Sequence, residues 1–106
     1  MPTPSDRPEK NSATELLYAL RDNKAEHYGF PMRFRTNQEA IRGVVSSMTA
    51  GGSLLASNPE DFALYLVGEW EANSGSIIGF PPVHVINCID VVPLPEETIH
   101  LTEKVS

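Results

Sequence analysis

The side chains able to do chemistry are few and thinly spread. Cys88 is the lone thiol among 106 residues, which excludes an internal disulfide framework and a cysteine-based zinc site. It lies in the run Val83-His84-Val85-Ile86-Asn87-Cys88-Ile89, with His84 as its near base. On a strand rising ~3.3 Å per residue the two groups sit ~13 Å apart, too far for a thiolate–imidazole pair. Cys88 therefore reads as a small buried hydrophobe. The histidines, His27, His84 and His100, show no metal-ligand spacing. Carboxylates occur as Glu60-Asp61 and as Glu69 and Glu71, with no surroundings that would split them into an acid and a base. Gly51-Gly52 follows a helical stretch, whereas a phosphate cradle precedes one. No catalytic or metal set emerges, and the expectation is a protein that is not an enzyme and uses no cofactor.

The binding chemistry is concentrated in one basic and aromatic segment. From Arg21 to Arg42, five basic residues (Arg21, Lys24, Arg33, Arg35, Arg42) meet three acidic ones, a local net of +2. From Ser57 onward, eight acidic residues meet Lys104 alone, a local net of −7. Tyr28, Phe30 and Phe34 are interleaved with the first group, a pattern that suits single-stranded nucleic acid, where stacking adds ~1–3 kcal/mol per base. The plainer alternative is that Phe30 and Phe34 close the core while the arginines are solvated or paired with the acidic half. The whole chain, at net charge −6 and pI 4.9, argues against generic polyanion binding. Direct contact with DNA would therefore fall to residues 28–42. Lys24, Tyr28, Arg33, Phe34, Arg35 and Arg42 are the candidate contact residues for a partner or nucleic acid.

These residues need a scaffold, and the chain has room for one. Residues 1–12 hold three prolines and no large apolar residue after Met1, so a mobile tail is expected there. A single α+β domain is expected over 13–92, followed by an acidic, partly ordered tail over 93–106. Neither a signal-peptide core nor a run of ~20 apolar residues is present, so no membrane partner is expected and the default setting is cytoplasmic. Glu15–Arg21 reads as a strand closed by Asp22-Asn23. Thr36-Asn37-Gln38-Glu39 is a capping box, with Thr36 accepting from the third amide and Glu39 reaching back to the threonine amide. Ala40, Ile41, Val44, Val45 and Met48 then form one apolar stripe, which predicts a helix over 37–49 ended by Gly51-Gly52. Gly43 inside it would permit a close helix–strand approach. Asn58-Pro59 reads as cap and first residue of a short helical turn. Phe62–Glu71 alternates strictly, with Phe62, Leu64, Leu66 and Gly68 on one side and Ala63, Tyr65, Val67 and Glu69 on the other. After the turn Asn73–Ser76, Ile77–Phe80 completes a hairpin, Pro81-Pro82 interrupts, and Val83–Ile89 forms a last edge strand. The expected fold is α+β: a small, mostly antiparallel sheet of three to four strands with one amphipathic helix packed on it. So small a core leaves apolar surface uncovered, and a homodimer through Val83–Ile89 or the open sheet face is expected.

Several of these pieces occur in a telling order. Asp22-Asn23-Lys24-Ala25-Glu26-His27-Tyr28, with Pro31 close behind, precedes Thr36-Asn37-Gln38-Glu39-Ala40-Ile41-Arg42. Asn58-Pro59-Glu60-Asp61-Phe62-Ala63-Leu64-Tyr65 follows, then Gly68-Glu69 and Ser74-Gly75-Ser76-Ile77. Over roughly residues 16 to 80 the chain resembles the small nonstructural protein of gokushovirus-type microviruses, tailless icosahedral single-stranded-DNA phages. Members of that family are likened to microvirus protein C. The resemblance implies a non-enzymatic role in the host bacterial cytoplasm: engaging the replication complex or procapsid proteins as duplex copying gives way to single-strand synthesis and packaging. It supplies no catalytic residues. The proline-rich start and the stretch from Pro81 to Ser106 fall outside it.

Overall fold

The computed structural model describes residues 14–93; the expectations for residues 1–12 and for the tail after Pro93 lie outside the described residues. β1 (Thr14–Asp22) runs through the middle of the sheet. It pairs along one edge with β2 (His27–Tyr28) and β3 (Met32–Phe34), and along the other with β4 (Phe62–Glu71). β5 (Ser76–Asn87) pairs with β4 on its far side. Every pairing is antiparallel. The sheet is thus four strands wide, because β2 and β3 are two short pieces along one edge of β1. Between them Gly29, Phe30 and Pro31 leave the ladder, although the Gly29 amide still donates to the Leu20 carbonyl at 2.8 Å.

The expected helix is present as α1 (Asn37–Ala50), one residue longer than the stripe predicts. Thr36 Oγ1 accepts from the Glu39 amide at 3.0 Å, as the capping box requires. The return bond is displaced by one residue, with the Arg35 amide rather than that of Thr36 donating to Glu39 Oε1. Ala40, Val44 and Met48 are the buried positions, and they close against Tyr18, Leu64, Leu55 and Cys88. Tyr18 is fully buried, and its hydroxyl donates to Asn37 Oδ1 at 2.5 Å, tying the first helical residue to the central strand. Gly43 does admit a close approach: a Cβ there would stand 2.9 Å from Phe34 Cζ.

Five expectations need correction. A second short helix, α2 (Leu54–Ser57), precedes the Asn58-Pro59 turn and is capped by Ser53 Oγ accepting from the Ala56 amide. Asn58 therefore ends α2 through its amide, and its side chain makes no cap for the 3-10 turn Pro59–Asp61. Strict alternation in β4 breaks at Val67, where Leu66 pairs with Tyr18 but Gly68 pairs with Leu17. This bulge inserts one unpaired residue, so Gly68 and Glu69 exchange the sides that alternation gives them. Pro81-Pro82 does not split the last strand: β5 runs through, pairing with β4 at Gly79 and again at Val83. Only the ladder lapses there, since proline has no amide to donate. The strand ends at Asn87, and Cys88–Val91 turns as a 3-10 helix with Cys88 buried as expected.

Candidate functional site

Register sorts the side chains between two faces, because antiparallel partners point the same way and neighbours along a strand alternate. Leu16, Tyr18 and Leu20 of β1, Phe62, Leu64 and Leu66 of β4 and Phe34 of β3 share the face that α1 covers. The other face carries Glu15, Leu17, Ala19 and Arg21 of β1, with Ala63, Tyr65 and Trp70 of β4 opposite them. Tyr28, Arg33 and His84 join that face through pairing with Arg21, Leu17 and Tyr65 respectively. Tyr18 is the polar ring kept inside, against the helix, while Tyr28, Tyr65, Trp70, His84 and Arg21 stand on the outer face beside Leu17, Ala19 and Ala63.

The outer face has a defined centre. Tyr28 and Tyr65 stand edge to face with centroids 5.5 Å apart, and Tyr65 meets His84 in the same way at 5.4 Å. Tyr28 and Tyr65 lie two strands apart, a backbone separation of ~9.5 Å. They touch on the diagonal: β1 presents Arg21 beside Tyr28 and the small Ala19 beside Tyr65, and Ala63 across from Arg21 is a second methyl-sized floor residue. Both alanines are buried, at 2% and 1% exposure. Arg21 places its guanidinium 5.7 Å from the Tyr28 centroid, within cation–π range, and donates to Asn23 Oδ1 at 2.7 Å. His84 Nε2 lies 2.8 Å from Asn87 Oδ1, which orients the imidazole. Further along, Arg33 Nε is bonded to Glu15 at 2.8 Å. At the rim, Phe30 is 92% exposed in the gap between β2 and β3.

The six sequence candidates do not form one cluster. Tyr28 and Arg33 stand on the outer face, whereas Phe34 packs inward edge-on to Tyr18, centroids 5.9 Å apart. Lys24 sits in the β1–β2 turn, where its amide and that of Ala25 donate to Asp22 Oδ1, each at 3.0 Å. That turn borders an open cleft of about 340 Å³ lined also by Leu54, Asn58, Asp61 and Phe62. Arg35 is exposed just before α1, and Arg42 is exposed on the helix itself. Sequence reasoning missed Tyr65, His84, Trp70 and the centrality of Arg21. The alternation of β4 already set Tyr65 apart from Phe62 and Leu64, and was the available signal.

The buried titratable groups do not point to chemistry. Burial pushes the Cys88 thiol up to about 11, so it is protonated at neutral pH. Burial, and then the Glu39 carboxylate, raise Tyr18. Among the described residues no group of three or more His, Cys, Asp or Glu converges as a metal site.

Residues 15–91 match the family model described as phage ORF5 protein. The chain belongs to the phage ORF5 protein family. No match is found among curated proteins, nor among solved structures. The span shared with the phage ORF5 family includes the outer-face cluster from Arg21 to His84 and also the core beneath α1. Among the described residues of this ORF5-family protein, no helix is long and apolar enough to cross a membrane.

Proposed function

We propose that this phage ORF5-family protein is a non-enzymatic nonstructural protein of the gokushovirus type, likened to microvirus protein C. It acts in the host bacterial cytoplasm, at the switch from viral DNA replication to single-strand synthesis and packaging, through contacts with the replication complex or procapsid proteins. The observation that carries this reading is the match of residues 15–91 to the phage ORF5 family, over the span in which the chain resembles the gokushovirus nonstructural protein. The outer sheet face, with Arg21, Tyr28 and Tyr65 outside the core, suits a protein that works by binding. The test is affinity capture of the tagged chain from infected cells, together with a null mutant of the phage gene. Recovery of the replication initiator or procapsid proteins, with single-strand packaging impaired in the mutant, is the expected result. Recovery of neither, with packaging intact, overturns the proposal.

The working form is a homodimer. β5 pairs with β4 alone among the described residues and exposes Ile77, Ile78 and Val83, which supports pairing with a second copy along that edge. Light scattering at high micromolar concentration should give the mass of a dimer, and a monomer there refutes it.

A further inference from the structure

We infer that the outer face of the sheet is a track for single-stranded DNA, with bases stacking on Tyr28 and Phe30 and phosphates held by Arg21. The choice of DNA as the strand rests on the replication and packaging reading above; the stacking site itself rests on geometry.

Charge sorts by face in a way the net of −6 conceals. Glu69 pairs with Leu16 and Glu71 with Thr14, so the register places both carboxylates on the face opposite Tyr65. The outer face keeps Glu15, which is occupied by Arg33 at 2.8 Å. Arg21 has the neutral Asn23 amide as its hydrogen-bond partner and lies beside the tyrosine ring. An anion arriving at this centre meets a guanidinium held by a neutral amide and a ring. The Asp22 carboxylate is turned to the other face and bonded to the Lys24 and Ala25 amides, with Glu26 and Asp61 in and beside the adjoining turn.

The aromatic groups complete the site. Tyr28 keeps 39% of its surface exposed, at the end of the edge-to-face series with Tyr65 and His84. Two residues further on, Phe30 is 92% exposed and contributes nothing to the core. A phenylalanine held so far out of the fold, two residues along the chain from the exposed Tyr28, is costly in water unless something covers it. Bases have flat apolar faces and carry their charge at the backbone, so they can cover rings and reach a guanidinium together. This is how sheet-face modules hold about two or three bases of an unpaired strand. Stacked duplex bases offer no such faces, so duplex DNA is excluded from the track.

The experiment uses the full chain and a labelled oligothymidylate longer than the ~4–16 nucleotides that comparable folds cover, read by fluorescence anisotropy at several salt concentrations. Binding at low ionic strength that weakens with salt is expected, with duplex of the same length binding more weakly. Tyr28→Leu and Phe30→Leu remove rings while keeping bulk, and each should weaken binding about fivefold or more. Tyr28→Phe should bind like the unmodified protein. Arg21→Gln should lower the slope of log affinity against log salt by about 0.7. Because Phe30 lies outside the core, Phe30→Leu separates lost stacking from lost folding, and circular dichroism checks each variant. Absence of binding at low salt overturns the inference, as does binding that both ring deletions leave unchanged. Equal affinity for duplex also overturns it. DNA binding is read with purified protein alone, so its failure is distinct from failure to recover phage proteins from infected cells.

Discussion

Replacing Gly68 by alanine should weaken the fold, although alanine is by general propensity the better strand residue by roughly 0.5–1 kcal/mol. Gly68 follows the bulge at Val67 and pairs with Leu17 on one side and Gly79 on the other. A Cβ at this position would stand 2.6 Å from the Ile78 carbonyl oxygen and 3.3 Å from Gly79 Cα. Ordinary contact begins near 3.4 Å, so the β5 backbone must retreat by about 0.8 Å. A strand backbone cannot rotate out of the way as a side chain does, and overpacking of this kind costs ~1–3 kcal/mol. After the propensity gain is set against it, a net loss of about 1–2 kcal/mol is expected. In a domain this size each kcal/mol moves the melting temperature by about 4–8 °C. Thermal and urea unfolding, followed by far-ultraviolet circular dichroism, should register the drop. Gly79→Ala is the matched control, since its Cβ would meet nothing within 4 Å, and it should be as stable as the unmodified protein or more so. If Gly68→Ala unfolds at or above the unmodified midpoint, the close approach of β4 and β5 is not what requires glycine there.

Thr36→Ala removes the side-chain oxygen that accepts from the Glu39 amide, and urea unfolding should show a loss of about 1 kcal/mol. Alkaline pH should destabilise the fold through Cys88, whose thiol is raised from 9.0 to about 11 by burial. A raised folded-state value means that this stability is complete below pH ~9 and is lost as pH climbs to ~11, about 2–3 kcal/mol in all. Cys88→Ala should therefore flatten the dependence of the urea midpoint on pH, leaving the share from Tyr18, which burial and then the Glu39 carboxylate also raise; a slope parallel to that of the unmodified protein refutes this. Ala19→Leu fills the floor on which Tyr28 and Tyr65 meet; it should cost ~1–3 kcal/mol by overpacking and alter the near-ultraviolet tyrosine signal.

Local signals in the sequence carried α1 almost completely. Its cap, stripe and glycine stop each involve residues within one or two turns of one another, and even a close helix–strand approach at Gly43 was readable, though not Phe34 as its neighbour. Apart from the one-turn α2, too short for a stripe to show, the elements that went unread are those whose hydrogen bonds come from elsewhere. His27–Tyr28 and Met32–Phe34 are too short for a period to appear, and they are strands because β1 pairs with them. The Val67 bulge leaves no mark in β4 composition, yet it decides which face Glu69 takes. The outer cluster was hidden for the same reason. Read along the chain, residues 28–42 look like one basic and aromatic patch. Folded, Phe34 goes inward and Arg42 rides on α1, while Tyr28 finds Tyr65 and His84 through pairings that span the whole sheet.

The central position of β1 also dictates when this protein can fold during its own synthesis. Of the described strands β1 leaves the ribosome first, yet Asp22 waits for Phe62 and Thr14 waits for Glu71. Until β4 has emerged, α1 has only part of its platform, because Leu64 and Cys88 of the core lie ahead in the chain. Closing so long a loop is entropically unfavourable, and distant pairings of this kind slow folding. The nascent chain therefore has no stable halfway stage: a product ending before Glu71 has lost strand partners for β1 and core together, and is expected to be cleared rather than to survive as a partial domain.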